Sequence, residues 1–104
     1  MVFLTGYIMP SDKEQLTGSF IPQSVFAVNG LVILMGLLKN GELALDTETL
    51  FNDKVYKLID IQVFNKHVKS IKATDGGAQG IGIVLTNNSI DEAQEMTNKE
   101  LLFK

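Results

Sequence analysis

A chain of 104 residues, 45% hydrophobic and with net charge −3, is long enough for one buried core and too apolar for disorder. It has no cysteine, which excludes disulfides, thiolate metal sites and thiol nucleophiles. All nine basic residues are Lys, so the bidentate forks with which Arg reads phosphate or guanine are missing, and the acidic balance disfavours general nucleic-acid affinity. Residues 1–104 read as a single domain.

The chain opens with Met1-Val-Phe-Leu-Thr-Gly-Tyr-Ile-Met9-Pro10. No basic residue precedes its apolar part and no small-x-small cleavage site follows, so it does not read as a signal peptide, and the cytoplasm is the expected location. Residues 1–20 are expected to form an extra N-terminal strand and loop, with Ser11–Ser19 mobile. The body of the domain is then 24–103.

Ser24–Val28 reads as a short strand. The densest apolar run, Leu31–Leu38, lies between the turn signals Asn29-Gly30 and Asn40-Gly41. Eight residues are too few to span a membrane, which takes about 20 as a helix. The run also lacks a polar face, so it reads as a strand apolar on both sides. Gly36 within it suggests a bulge or a barrel corner. Lys39-Asn40-Gly41-Glu42 is expected to be a tight turn, with Glu42–Leu45 as the return strand. Lys54–Asn65 reads as a long strand with Val55, Ile59, Ile61 and Val63 on one face and Lys54, Asp60 and Gln62 on the other. Val68–Ala73 is a further strand and Asp75-Gly76-Gly77 a turn. Gly80–Thr86 alternates, with Ile81, Ile83 and Leu85 on one side. Ser89-Ile-Asp-Glu92 matches a capping box that starts one helical turn through Met96. Leu101–Phe103 closes the sheet. Short strands separated by turn signals predict an all-β chain, a small antiparallel β-barrel or sandwich with one short helical turn near the C-terminus.

The order of these elements resembles the second-domain β-barrel of translational GTPases, the elongation factor Tu type. The resemblance is carried by Val25-Phe26, the glycine-containing apolar strand Leu31–Gly36, and the pattern Gly36-Leu-Leu-Lys-Asn-Gly41. It continues through Ile59-Asp-Ile-Gln-Val-Phe64, Gly77-Ala-Gln-Gly-Ile-Gly-Ile-Val-Leu85, Ser89–Glu95 and Leu101–Phe103. It covers about residues 24–103 and implies a barrel of that type. The family's usual Ala-Gly-Asp stands here as Gly77-Ala78-Gln79-Gly80, and no P-loop pattern occurs. The resemblance therefore implies a docking or RNA-binding module that hydrolyses nothing and by itself binds no GTP. Its expected contacts are the ribosome or transfer RNA. No cofactor is expected.

Candidate contacts follow from charge and polarity. Lys54, Lys57, Lys66, Lys69 and Lys72, against the single acid Asp60, make the segment 54–72 locally +4 and leave −7 on the remainder. With His67 they form a candidate phosphate-facing surface. His67, the only histidine, has Ser70 and Asp60 or Asp75 as its nearest candidates for a catalytic triad; a solvent-facing loop histidine is the plainer reading. Gly76–Gly82 is glycine-rich but not in a dinucleotide-binding order. On the apolar strand, Leu31, Ile33, Met35 and Leu37 are expected inside. Val32, Leu34 and Leu38 are then expected outside, covered by the N-terminal segment, a protein partner or a second copy in a homodimer.

Overall fold

The computed structural model describes residues 17–74 and 77–104. The expected N-terminal strand, most of the expected Ser11–Ser19 loop and most of the Asp75–Gly77 turn lie outside the described residues. Gly18 and Ser19 are described, and they are buried strand residues rather than loop.

The strands are β1 (Gly18–Val28), β2 (Leu31–Ala44), β3 (Glu48–Phe51), β4 (Lys54–Val63), β5 (Lys66–Val68), β6 (Ser70–Lys72), β7 (Ala78–Leu85) and β8 (Leu101–Phe103). One helix, α1 (Ile90–Met96), precedes β8. In the order β1-β8-β3-β4-β7-β2, with β2 pairing back to β1, six strands close an antiparallel barrel. β5 adds to β4, and β6 to the far end of β2.

Turn chemistry fixes much of the register. Three hairpins have two-residue loops with both central residues at positive φ: Asn29-Gly30 (51°, 80°), Asn52-Asp53 (51°, 66°) and Phe64-Asn65 (53°, 64°). This backbone matches the twist of the strands it joins. Ser89 caps α1: its side chain accepts from the Glu92 amide at 3.1 Å, and the Glu92 carboxylate accepts from the Ser89 amide at 3.0 Å. α1 turns Ala93 and Met96, both fully buried, into the core.

The expected turn at 39–42 is absent. Leu31–Ala44 is one strand of 14 residues. Gly41 does take a positive φ of 75°, but within the strand. The chain continues because both sides have partners: Glu42 N donates to Thr17 O, and Ala73 N donates to Gly41 O. β1 begins six residues earlier than expected. Pro22, which cannot donate to a ladder, is accommodated where the β1–β2 register shifts between Pro22 and Ser24. β3, only four residues long, was not expected. Val68–Ala73 is divided into β5 and β6, which pair with different strands.

The faces of β2 are the reverse of those expected. Leu34 and Leu38 are fully buried core residues, and Val32 packs against that core. Leu31 is exposed. A strand apolar on both sides carries no phase of its own, so its neighbours set it. Leu34 lies opposite Val25 and Ile83, whereas Met35 lies opposite Gly82. Gly82 leaves the space that the Met35 thioether occupies; a Cβ there would stand 2.8 Å from Sδ. On β7, Ile81, Ile83 and Leu85 point inward as expected. On β4 the alternation changes phase. Leu58 faces Leu85 and Ile61 faces Ile83, with a register shift between Leu58 and Asp60. Tyr56, Leu58 and Ile61 are therefore buried, while Val55 and Ile59 are exposed.

Candidate functional site

The six polar candidates of 54–72 do not form one surface. β4 covers 10 residues, about 30 Å at the usual rise per residue, and separates Lys54 and Lys57 from the turn that leads to Lys66.

Lys54 is engaged within the fold. Its Nζ donates to Asn87 O at 2.9 Å and to the Glu92 carboxylate at 3.0 Å. It also lies 4.9 Å from the centre of the Tyr56 ring. The hydrogen bond from the Ser89 amide, and then those from Lys54, hold the Glu92 carboxyl below the usual range. Burial, followed by the nearby Glu92 charge, pushes the Tyr56 phenol up.

His67 is likewise paired. It lies opposite Gln62 across the β4–β5 hairpin. Its Nδ1 approaches both Asp60 oxygens, at 2.9 and 3.0 Å. An ionised carboxylate only accepts, so Nδ1 carries the hydrogen. Gln62 Nε2 donates to the same carboxylate at 3.0 Å. Burial alone would raise the Asp60 pKa, but the hydrogen bonds from Gln62 and His67 outweigh it and the carboxyl is held low. Among the described residues no hydrogen bond joins Ser70 to His67, and Ser70 belongs to β6, opposite Ala44. Of the suggested triad the structure pairs His67 with Asp60 but joins Ser70 to neither by a hydrogen bond, and Asp75, the other acid suggested, lies outside the described residues.

The other four lysines make no salt bridge among the described residues. Lys57 lies opposite Glu48, and Lys72 opposite Glu42, so each shares a face with an acid. Lys66, beside the Phe64-Asn65 turn, and Lys69, between β5 and β6, face no acid across a strand.

Phe64 itself is 89% exposed at the tip of that hairpin, at φ 53°. No sequence pattern singled it out, because Phe is not a turn residue. The glycine-rich segment continues into strand β7 rather than a helix, so it does not build the strand–loop–helix cradle that holds phosphates. Among the described residues, no group of three or more His, Asp or Glu side chains is placed to hold a metal ion, and no helix is long and apolar enough to cross a membrane.

Among the concave surfaces formed by the described residues are two of larger volume. A groove of about 410 Å³ runs over Leu50, Val55 and Leu102, with Glu48, Glu100 and Lys104 at its rim. An open depression of about 500 Å³ lies where the β1–β2 turn meets the β7–α1 loop. No protein-family model and no curated protein matches this sequence.

Proposed function

We propose that this chain is a cytoplasmic, non-catalytic binding barrel of the elongation-factor second-domain type, and that it contacts RNA through the β4–β5 hairpin. The observation that carries this reading is Phe64. A left-handed conformation costs an ordinary L-residue roughly 1–2 kcal/mol, and the ring gains no burial in return, being 89% exposed. A local strain of this kind is retained where it serves a site. An exposed ring is a platform for a base, and each stacked base contributes about 1–3 kcal/mol. Lys66 and Lys69, with Lys72 further along the chain, supply positive charge for the phosphates. Transfer RNA or a ribosomal RNA surface is the partner class, in keeping with the elongation-factor resemblance.

Phe64→Asn tests this reading, because Asn tolerates a positive φ far better than Phe. The variant is expected to be at least as stable as the parent and to bind labelled transfer RNA about ten-fold more weakly in fluorescence anisotropy. Lys66→Glu with Lys69→Glu is expected to flatten the dependence of affinity on salt. Unchanged affinity in Phe64→Asn, or no binding at 50 mM salt, sinks the reading.

The groove over Leu50, Val55 and Leu102 favours a second reading, self-association. These side chains are 65%, 57% and 49% exposed. The rim carries Glu48, Glu100 and Lys104, so a two-fold copy whose axis sets Lys104 against Glu48 or Glu100 of the other copy pairs opposite charges twice. Leu50→Lys is then expected to turn a dimer into a monomer in light scattering. A monomeric parent at high concentration excludes it.

A further inference from the structure

The β1–β2 hairpin carries an open sheet edge. β8 covers β1 only along Gly18–Phe20. Beyond Phe20, among the described residues, no strand pairs with that side of β1, although Asn98 N donates to Pro22 O at 2.7 Å near its start. The closing turn determines which backbone groups face this edge. Asn29-Gly30 is a two-residue loop, so Leu31 N bonds to Val28 O, and bonded pairs alternate back along the ladder. In the observed register these are Val28–Leu31 and Phe26–Ile33. The N–H and C=O groups of Val25 and Ala27 therefore point away from β2, into the open edge.

Natural edges are commonly blunted by charge, above all by Lys. Here β1, and β2 as far as Leu38, carry no charged residue. The outward face of the hairpin is apolar as well. Phe26, Val28 and Leu31 are 51%, 48% and 47% exposed, while Val25 and Val32 pack against the core from the other face. Pro22, which can block an edge, sits at the far end, where the register shifts.

We infer that this edge is a dimer interface, in which β1 of a second copy pairs antiparallel with β1 about a two-fold axis at Phe26. The unpaired backbone selects a strand as the occupant: lipid covers the apolar face but leaves the groups of Val25 and Ala27 unbonded. The register selects a second copy. With the axis at Phe26, Val25 of each copy faces Ala27 of the other, and these two pairs satisfy every outward group of both residues. Phe26 lies directly opposite its own counterpart, an aromatic pair at the close spacing of a non-bonded position. Ser24 and Val28 end the contact, just short of the bulge and the turn. Moving the axis by one residue puts Gln23 of the bulge or Asn29 of the turn into the ladder instead. No charge on either copy opposes the pairing. The interface uses neither the Phe64 tip nor the groove over Leu50 and does not depend on RNA binding.

Hydrogen exchange on the full ¹⁵N-labelled chain at rising concentration tests this, together with sedimentation equilibrium. The Val25 and Ala27 amides are expected to exchange freely when dilute and to gain about ten-fold protection as the dimer forms. Those of Phe26 and Val28, already in the β1–β2 ladder, change little. Ala27→Pro removes an outward N–H without touching that ladder. It takes one hydrogen bond from each copy and is expected to weaken the dimer about ten-fold, with the circular dichroism of the parent. Phe26→Lys leaves the backbone intact, sets like charges together across the axis and is expected to do the same. Leu50→Lys is expected to leave this dimer unchanged, which separates the edge from the groove. A monomer at millimolar concentration overturns the inference, and so does a dimer that survives Phe26→Lys or a folded Ala27→Pro. Protection of Val25 and Ala27 that is independent of concentration also overturns it, because the edge is then covered within the chain. A monomer that binds neutral phosphatidylcholine vesicles, and loses them in Phe26→Lys, assigns the face to lipid and overturns it too.

Discussion

The bulge at Ile59–Asp60 turns an acid outward on β4, where Gln62 on the same strand and His67 on the next both reach it. The Asp60 carboxyl is held below its ordinary value, burial being outweighed by hydrogen bonds from Gln62 and His67. A depressed carboxylate binds protons less readily in the folded chain than in the unfolded one. Its stabilisation is therefore fully present above the unfolded value, near 4, and is lost as pH falls through the folded value. Asp60→Asn removes this acid-side term. The melting temperatures of parent and variant should be furthest apart at pH 6 and converge as pH falls toward 3. A constant difference across that range shows that Asp60 contributes through something other than its charge. The sequence offered Asp60 and Asp75 alike as partners for His67: Asp60 lies seven positions before His67, and only the two-residue turn at Phe64-Asn65 sets them face to face. With no turn signature at Phe64, nothing in the sequence fixed that register.

At the scale of elements, the contact between β1 and β2 depends on Gly36. A Cβ at this position would meet the Ile21 carbonyl and stand 2.8 Å from Pro22 Cα. Both neighbours are backbone, so no side chain can swing away to make room. Gly36→Ala should therefore cost about 1–3 kcal/mol, the range for overpacking a tight site, read as a lower urea midpoint with an unchanged slope. A loss under about 0.5 kcal/mol, the scale of an ordinary surface substitution, means the two strands separate freely here. Gly36 was legible as a special position, as were the capping box at Ser89, the Asn29-Gly30 hairpin and the inward row Ile81, Ile83, Leu85. Each depends on local chemistry or clean alternation. The phase of Leu31–Leu38 was not legible, because apolar residues on both faces satisfy either choice and Gly82 on a distant strand decides it. Asn40-Gly41 misled for a related reason. Its dipeptide has hairpin chemistry, but a positive φ at Gly41 serves a bend in a continuous strand equally well when other strands supply partners. The site was less legible than the fold: the lysine-rich segment is contiguous in sequence, yet the barrel divides it, and the exposed Phe64 ring sits in a turn that carries no turn signature.

For the whole molecule, closure of the barrel depends on its shortest contributor. β8 has three residues and joins β1 on one side to β3 on the other. Thr17 N donates to Phe103 O at 2.7 Å across 86 positions of sequence, and Glu48 and Lys104 exchange backbone hydrogen bonds at 2.9 and 3.0 Å. Contacts so distant in sequence form only after a large loop-closure entropy has been met, which makes barrels of this kind slow to fold. Phe103, fully buried, is the side chain that fixes the seam to the core. Phe103→Ala should cost about 3–5 kcal/mol, a large share of the roughly 5–15 kcal/mol that stabilises a typical domain. Three residues of ladder cannot hold the edges together without that anchor, so the loss should appear first at the seam. Hydrogen exchange in the variant is expected to speed up most at the amides of β1, β3 and β8, while β4 and β7 keep more of their protection. If protection instead falls evenly over all six strands, the barrel opens only as a single cooperative unit, and the seam is no weaker than the rest of the wall.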